Sequence, residues 1–555
     1  MNMNRRHLLG SAAAGAALIG AGRTAEARPL CSMLPARWDE PYPEYRKLHF
    51  LQKTKRPRSV DLRALSVKKG LYGKVFSFHP KNCQKPFTMN NTTVTDAFGR
   101  QVAFSDTRFL ATSVAGLIPV AYLVDKLNLL DPVEKVLDRF FTSRQNTLIQ
   151  PRTMFRQRLL ALAAGYEDLN DHESLRNDPG FMAAVGARRI AGASRLCRFE
   201  GEFNRISIDA LNQTLLEAFA IAAEKLKLLP KYRRKKNRCL FLDVDSTFVE
   251  LYGNQEEKSY NGHYGICCLA PVLCYLHGYP IAVFGAGGTK DARKVLEHQF
   301  RRLIGRLQAL FPDYVIVLRG DAGFNSKFLI DTCDANGIKY VTGLSPNKKT
   351  ETLPIKYAKA KKVDRYTDSG QSLRLIGKVD YHVKKWSRKR RIVARRQYLN
   401  GASQGDLRLI QTNIVHTTDR NHPGFCGELS AISNEKLYEK TYCGRANMER
   451  WIGEFKSECF GARASASKFT ANCYRMILAM FCQMILKIAR RFRTFGLKRS
   501  SETKKKDVEQ TVRTFRRDSI CVTAKIAVSS KRVVLTLPAH LHDEAGFLTM
   551  FSIPI

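Results

Sequence analysis

The segment from residue 239 to residue 344 constrains the fold most, because short strand-like runs alternate in it with longer helical runs. Strands are predicted at residues 239–247, 264–276, 279–284, 314–318 and 338–344. Helices are predicted at residues 291–310 and 325–335. The order is therefore βββαβαβ. Three consecutive strands predict an antiparallel edge, and the α/β repeat that follows predicts a mixed sheet flanked by helices.

Carboxylates fall at the strand ends of this segment. Asp243 and Asp245 alternate with apolar residues in DVDST at residues 243–247, so both project from one side of the first strand. Asp321 directly follows the strand at 314–318, in RGDAGF. Strand ends are where α/β sheets place ligand-binding groups, although a lone Asp is more often a turn or cap residue.

A third acidic group stands in YCGRANMERWIGEFK at residues 442–456. At 100° per residue, Tyr442, Arg445, Glu449 and Lys456 fall within roughly 60° of one another on a helix. Taken alone, such a face is more often a solvated, salt-bridged surface. With Asp245 and Asp321, however, Glu449 could complete a three-carboxylate site. Such a site suits two Mg²⁺ ions about 4 Å apart acting on a phosphodiester.

The overall charge favours a polyanionic partner. The 555-residue chain carries 92 Lys and Arg against 50 Asp and Glu, a net charge of +42. Nucleic acid is the simplest such partner, and an anionic membrane surface is the rival. The longest apolar stretch, residues 476–486, is closed by Arg475 and Lys487, which predicts a buried helix rather than a membrane span. The 14 cysteines show no CxxC pair, which favours reduced thiols in the cytosol.

The N-terminal residues point to a different compartment. Residues 1–32 begin with a basic stretch, an Ala/Gly-rich apolar run and a small-residue end, and look like a twin-arginine export leader. We interpret it as a leader acquired by fusion or by an upstream start, because a basic, thiol-rich chain is a poor exported passenger. Residues 33–92 have no sustained periodicity and are interpreted as a basic linker or arm.

Helical patterns dominate residues 93–237. Helices are predicted at 107–127, 132–141, 153–164 and 206–228. Residues 166–175 and 193–200 have the short-helix character of a DNA-reading module, and ordinary helix packing explains them equally well. The basic run at 231–238 contacts phosphates or forms a solvated linker. We therefore predict a helical DNA-binding domain at 93–237.

Together, three motifs resemble one family. DVDST, LRGDAGF at 318–324, and the pattern Y-x2-R-x3-E-x6-K at 442–456 are similar to a bacterial insertion-sequence transposase of the DDE class, in the branch that this last signature defines. The resemblance implies an RNase H-like catalytic domain. It also implies that Asp245, Asp321 and Glu449 are the catalytic and metal-binding carboxylates.

The resemblance assigns further roles. Tyr442, Arg445 and Lys456 match signature positions that approach DNA phosphates in this family. One departure is GAGGTKD at 285–291, where the family more often carries an Arg/His-Pro-Gly-Asn loop. The catalytic domain would then comprise residues 238–345 and 431–497. A separate C-terminal segment with a hairpin would follow at 498–555.

The interval between Asp321 and Glu449 resembles the β-rich insertion of these transposases, here residues 346–430. Strands are predicted at 373–383, 391–399 and 407–415. Its basic core, KKWSRKRRIVARR at 384–396, provides candidate DNA-binding residues in Lys384, Trp386, Arg388 and Arg390. The alternative for Trp386, which we weight more heavily, is packing on its own subdomain under a solvated charge run.

We therefore predict a cytoplasmic DNA transposase. Its cofactor would be Mg²⁺, as two ions that Mn²⁺ could replace, and its partner double-stranded DNA of the element ends and the target. Because two element ends must be brought together, we predict a homodimer on DNA. We predict no membrane partner. Two alternatives stay open: an RNase H-like DNA nuclease without strand transfer, and a transposase-derived DNA-binding protein without catalysis. An exported binding protein is the least favoured.

Overall fold

The structure is a computed structural model, which describes the chain in sections. The described residues are 93–95, 101–103, 110–141, 148–229, 238–363, 372–384, 386–398, 405–419, 421–422, 424–500, 510–529 and 532–538. The predicted leader at 1–32, the arm at 33–92 and the basic residues 231–237 lie outside these sections.

Residues up to 108 and residues from 109 onward form two separate units. In the first unit, strands β1 (Thr93–Thr95) and β2 (Gln101–Ala103) pair antiparallel. Every element described below belongs to the second unit.

The second unit begins with strand β3 (Leu110–Thr112) and a group of helices. The helices are α1 (Leu117–Lys126), α2 (Asp131–Phe140), α3 (Pro151–Ala164), α4 (His172–Leu175), α5 (Pro179–Val185), α6 (Ala193–Glu200) and α7 (Arg205–Lys225). Local sequence explains several ends. Pro151 opens α3 at a position that needs no N–H, Gly165 ends it at φ +102°, and the Asn204 side chain caps α7.

Three of the four predicted long helices are confirmed to within a few residues. The prediction for 107–127 was wrong in its first part, because β3 pairs with a C-terminal strand there and the helix begins only at Leu117. Long-range pairing overrides a local helical pattern in this segment. Residues 193–200 form a short helix, whereas in 166–175 only His172–Leu175 are helical. Their apolar side chains Leu175, Leu196 and Phe199 are buried in the core.

The central part of the chain alternates strands and helices. Its elements are β4 (Arg238–Ser246), β5 (Val249–Glu250), β6 (Ser259–Asn261), β7 (Ile266–Leu269), β8 (Val272–Leu276), β9 (Tyr279–Phe284), α8 (Ala292–Leu310), β10 (Tyr314–Gly320), α9 (Lys327–Ala335) and β11 (Lys339–Leu344). They are followed by α10 (Lys348–Thr352), β12 (Lys356–Val363), β13 (Ser372–Val379), β14 (Arg391–Tyr398) and β15 (Asp406–Thr412).

One nine-stranded sheet, in the order β12-β13-β14-β15-β11-β10-β4-β8-β9, contains most of these strands. Strands β4, β10 and β11 are parallel, whereas β8 and β9 form an antiparallel edge and β12 to β15 an antiparallel extension. The predicted mixed sheet with an antiparallel edge is confirmed. The strands predicted between residues 346 and 430 are also confirmed, and they continue the same sheet through the pairing of β11 with β15.

The strand predicted at 264–276 was wrong as a single element. It divides into β7 and β8, and β7 pairs with β5 and β6 in a separate small sheet. Pro271 stands at the break, where it cannot donate a ladder hydrogen bond. The division leaves β8 to pair with β4 in the large sheet.

Both faces of the sheet are covered. Alternate residues of β4 and β10, including Leu242 and Leu318, pack into a large core with the helices. The other face, including Val317 and Val341, packs under residues 426–438, where Leu437 and Tyr438 are buried. Helices α11 (Glu428–Ala431) and α12 (Asn434–Lys436) belong to this segment. Helix α13 (Asn447–Gly453) follows it and buries Met448, Trp451 and Ile452 in the large core.

A long helix, α14 (Phe469–Ser500), packs in the core against β9, α3 and α7. Among the described residues it contains one segment, Phe469–Phe492, that is long and apolar enough to cross a membrane, with mean hydropathy 1.3. Within the protein, however, 83% of the most apolar window of that segment is buried, and every residue predicted as a buried helix at 476–486 is buried. The segment has the character of a core helix.

The C-terminal described residues return to the start of the second unit. Helix α15 (Val512–Phe515) precedes strands β16 (Ala524–Val528) and β17 (Val533–Thr536), which form the predicted antiparallel hairpin. Strand β16 also pairs with β3, which explains why residues 110–112 are extended.

Candidate active site

A buried ion pair joins the first two motif strands. Arg319 on β10 donates from Nε and Nη2 to the two carboxylate oxygens of Asp243 on β4, each at 2.7 Å. The Asp243 side chain is 0% exposed and that of Arg319 is 8% exposed. Burial raises the pKa of Asp243, and Arg319 opposes that rise. The two short contacts are the bidentate geometry of an ionised carboxylate with a guanidinium.

Arg319 also contacts the segment that leads to the Glu helix. Its Nη1 donates to the carbonyl oxygen of Thr441 at 2.8 Å, and its guanidinium lies 4.2 Å from the centre of the Phe241 ring. A Cβ on Gly444 would lie 2.9 Å from Nη1, so a side chain there would displace the Arg319 guanidinium. Arg319 thus fixes β4, β10 and residues 441–444 to one another.

A second arginine brings two of the predicted catalytic residues together. Nη2 of Arg445 lies 3.2 Å from Oδ2 of Asp245 and 3.7 Å from Oδ2 of Asp321. Asp245 is buried, and Asp321 also accepts a hydrogen bond from the backbone N–H of Gly323 at 2.8 Å. These two carboxylates raise the pKa of Arg445 against the opposing effect of its burial. The first and second motif carboxylates therefore lie beside the signature segment.

The signature segment is helical but irregular. It consists of a π-helix at Leu437–Tyr442, a 3₁₀ turn at Cys443–Ala446, the α-helix α13, and a second π-helix at Glu454–Glu458. The uniform 100° spacing that we assumed for residues 442–456 was therefore wrong. Wide and tight turns change the angle between side chains, and π-helical turns occur frequently at functional sites.

Tyr442 lies beside the second motif. A Cβ on Gly343 would lie 3.0 Å from the Tyr442 hydroxyl and 2.6 Å from the backbone nitrogen of Ala322. Burial raises the pKa of Tyr442, Arg445 opposes that rise, and the negative charge of Asp321 adds to it. Because Gly343 has no side chain, the Tyr442 hydroxyl and the turn at Asp321 can both lie close to its backbone.

Glu449 lies one helical turn beyond Arg445, on α13, and its side chain is exposed. Across the sections of the chain that the structure describes, no group of three or more His, Cys, Asp or Glu side chains lies close enough to hold a metal ion. The structure places the Arg445 guanidinium beside both Asp245 and Asp321. Convergence of all three carboxylates stays a prediction.

Lys456 occupies a different environment from Arg445. Its ammonium lies 3.7 Å from the centre of the Phe248 ring, a cation–π contact with the residue three positions after Asp245. Burial lowers the pKa of Lys456, and Cys268 and Glu250 oppose that shift. Lys456 therefore lies beside the strands that follow the first motif.

The basic loop at 384–390 contacts helix α9. Arg388 pairs with Asp334 at 3.2 Å, and Arg390 lies 3.8 Å from Asp331. Trp386 is half-buried and packs within its own subdomain, with the Arg390 guanidinium 4.5 Å from its ring centre. Stacking of Trp386 on a DNA base stays a prediction. Lys384 is exposed.

The position of this loop follows from the topology. Strand β14 runs in the same direction as β10 and β11, because β15 lies antiparallel between β14 and β11. The loop precedes β14, whereas Asp321 follows the end of β10. The loop therefore lies toward the sheet end where these strands begin, and the DNA contacts predicted for it stay a prediction.

The loop at 285–291, whose sequence differs from the family pattern, packs closely on the small sheet of β5, β6 and β7. A Cβ on Gly287 would lie 2.8 Å from the carbonyl oxygen of Glu257, and one on Gly288 would lie 2.5 Å from that of Ser259. Asp291 then caps α8 through the backbone N–H of Arg293. The glycines thus permit close backbone approach, and the loop provides the start of a helix.

Sequence reasoning missed the role of Arg319. Arg319 lies within the LRGDAGF motif, but the motif alone predicts no role for it. A charged residue inside an apolar strand is a usable signal, because a buried guanidinium needs a carboxylate, and Asp243 stood unassigned in the neighbouring apolar strand.

With this geometry in place, the comparison with protein families is decisive. The family model described as transposase DDE domain group 1 matches residues 95–553. The chain belongs to this family, which implies an enzyme of the nuclease and transesterase kind and DNA as a partner. No curated protein matches the chain.

Proposed function

We propose that this protein is a cut-and-paste DNA transposase of the Y-x2-R-x3-E-x6-K branch, with an RNase H-like catalytic domain. It would cleave DNA at insertion-sequence ends and transfer the 3′-hydroxyl into target DNA. One observation carries the proposal: the Arg445 guanidinium reaches both Asp245 and Asp321. Three motifs that are more than 70 residues apart in the sequence thereby meet at one place.

The carboxylates suit the divalent cations that DDE domains use. Asp245 and Asp321 present hard oxygen donors around a point where positive charge is already held, and Glu449 follows on the adjacent helix. These three residues would hold two Mg²⁺ ions, and Mn²⁺ could substitute. When bound, the ions would activate the attacking hydroxyl and stabilise the leaving oxygen.

Arg445 contributes electrostatically in the protein itself. Two carboxylates near each other repel, and a guanidinium beside both lowers that repulsion. The same guanidinium is a suitable partner for a DNA phosphate. We expect Arg445→Ala or Lys456→Ala to weaken DNA binding and to flatten its salt dependence by about one phosphate contact each.

The test of the catalytic assignment is a set of alanine variants on a labelled duplex that carries an element end. Asp245→Ala, Asp321→Ala and Glu449→Ala should each abolish cleavage with Mg²⁺ and retain DNA binding. Asp313→Ala is the matched control, because Asp313 is an exposed carboxylate directly before β10. This variant should cleave normally. Full cleavage by the Asp321 variant would refute the assignment.

Two further measurements separate the alternatives. A strand-transfer assay distinguishes a transposase from a nuclease, because a nuclease leaves cut ends that are never joined to target DNA. Binding of element ends without cleavage by the wild-type protein would instead identify a transposase-derived DNA-binding protein. We propose that the active species is a homodimer on DNA in the cytoplasm, which sedimentation of the protein with paired ends would test.

A further inference from the structure

A cleft of about 620 Å³ lies at the outer part of the sheet, next to the start of β14. Residues of β12, β13, α12 and the chain after β15 line it. It is separate from the Asp245–Arg445–Asp321 cluster, because none of those residues lines it. Arg390 is a predicted DNA-binding residue, whereas the family comparison and the three motifs assign no role to the other residues of the cleft.

The cleft is strongly cationic. Lys378, Lys389, Arg390 and Arg391 line it, and Glu435 is the carboxylate among its lining residues. Lys378 also pairs with the carboxylate of Asp380 at 2.9 Å. Four basic side chains in one concave surface repel each other, so their proximity favours binding of an anion.

Two of these arginines carry buried N–H groups without an acceptor. Within the described part of the chain, Nε and Nη2 of Arg390 and Nη1 of Arg391 make no hydrogen bond. Arg390 is 9% exposed, its Nη1 donates to Gln411 at 3.1 Å, and its guanidinium packs on Trp386. Its Nη2 lies 3.8 Å from Oδ1 of Asp331, which is an ion pair beyond hydrogen-bond distance. Buried donors without partners are costly, and a bound ligand is one explanation for their presence.

Arg391 strengthens the argument, because its hydrogen-bond acceptors are uncharged. It donates to Oδ1 of Asn434 from Nε at 3.0 Å and from Nη2 at 2.6 Å, and Nη2 lies 3.4 Å from the carbonyl oxygen of Ile432. Burial lowers the pKa of Arg391 below its ordinary value. A partly buried guanidinium held by an amide and a carbonyl is oriented without being neutralised, which is what an anion site requires.

An exposed aromatic residue lies at the rim of the cleft. Tyr357 is 86% exposed, and its backbone has φ +55°, in the left-handed region that favours glycine. The pairing of β12 with β13 shifts register between Lys356 and Lys359, so Tyr357 lies in a bulge. Bulges redirect side chains, and a strained non-glycine residue in an exposed position suggests a function.

We propose that this cleft binds single-stranded nucleic acid, with a backbone phosphate among Lys389, Arg390 and Arg391 and a base stacked on Tyr357. A free phosphate would use the cations alone, whereas the exposed aromatic ring matches the stacking platforms of single-strand binders. The inference rests on the proposed function for the source of the strand, which would be DNA opened at an element end. It adds a second contact region beyond the carboxylate cluster.

The test is fluorescence anisotropy of the full chain with a labelled oligothymidylate of about 20 nucleotides, in EDTA so that cleavage plays no part. Tyr357→Gly should weaken binding about tenfold and Tyr357→Phe should leave it unchanged. Glycine relieves the positive φ, so lost binding cannot be attributed to backbone strain. Lys389→Glu should weaken binding and reduce the salt slope by about 0.7, whereas Lys135→Glu, the same charge change on the exposed face of α2, should not.

Two outcomes would overturn the inference. Unchanged oligonucleotide affinity in both Tyr357→Gly and Lys389→Glu would show that the single strand does not bind in the cleft. Calorimetric binding of inorganic phosphate, lost in Lys389→Glu while oligonucleotide affinity persists, would assign the cleft to free phosphate. Neither depends on catalysis. Retained cleavage by Asp321→Ala would defeat the proposed function and leave the anisotropy result standing.

Discussion

The pair formed by Asp243 and Arg319 supports a quantitative prediction. Both side chains are almost fully buried, and two 2.7 Å hydrogen bonds join them. Asp243→Leu would leave the buried guanidinium with the Thr441 carbonyl as its remaining hydrogen-bond partner. Arg319→Met would leave a fully buried carboxylate without its hydrogen-bonded counterion. Each single substitution therefore removes one half of a compensated pair.

The magnitude follows from the burial. Breaking a buried ion pair costs about 3–5 kcal/mol, because one charge remains without its counterion, whereas replacing both charges with apolar groups of similar size is often close to neutral. The two single variants should therefore sum to about 6–10 kcal/mol, and the double variant should lose far less. The coupling energy expected from the cycle is at least about 3 kcal/mol.

The assay is urea denaturation of the four proteins, followed by tryptophan fluorescence. Trp451 is a suitable probe, because it is buried and stacks on Tyr275 with ring centres 5.3 Å apart. Cleavage is measured in parallel. The double variant should fold yet cleave poorly, since the hydrogen bond from Arg319 to Thr441 is lost with the arginine and the segment bearing Arg445 is no longer fixed.

Additive single effects would refute this reasoning, because they would show that the two charges do not compensate each other. Normal cleavage by a folded double variant would refute the positioning role of Arg319 while leaving the stability argument intact. Arg319→Lys is a useful comparison, since it keeps the charge and removes the bidentate geometry.

Two further predictions concern single buried positions. Burial lowers the pKa of His172 to about 3. As the pH falls below the ordinary pKa of histidine, the unfolded state therefore takes up a proton while the folded state keeps His172 neutral. The stability that depends on neutral His172 is fully present above pH 6.5 and is lost as the pH falls. Urea titrations should show wild type losing about 1.5 kcal/mol more than His172→Gln between pH 6.5 and 5, and equal losses would contradict the assignment. Gly343→Ala should destabilise the protein by about 1–3 kcal/mol and impair cleavage, because its Cβ would meet the backbone of Ala322. Gly305→Ala is the control, since nothing lies within 4 Å of its Cβ on α8, and it should stabilise by up to about 1 kcal/mol.

Local patterns determined the elements of this protein. Short apolar runs predicted β4, β9, β10 and β11, and longer periodic apolar patterns predicted α8 and α9, because buried strands and helices leave these patterns in the local sequence. The three motifs also predicted the family that the family comparison shows. These features depend on neighbours within a few residues, which is why they were readable.

Tertiary structure decided what the elements do together. The helical pattern before Leu117 yielded to pairing of β3 with β16, and the apolar run at 264–276 was divided between two sheets. The segment from Leu437 to Glu458 is irregular rather than a uniform helix. The single helical face predicted for residues 442–456 was therefore wrong. The first two outcomes depend on which strands pair, and the local pattern does not specify that.

The active site shows the same division. The sequence alone identified Asp245, Asp321 and Glu449 as carboxylates at strand ends and on a helix. Only the fold showed that Arg445 holds the first two together and that Arg319 ties Asp243 to Thr441. Residue type and spacing determine which groups are available for chemistry. The distances between these groups depend on ion pairs that buried charges form across the sheet. Those ion pairs exist only in the folded chain.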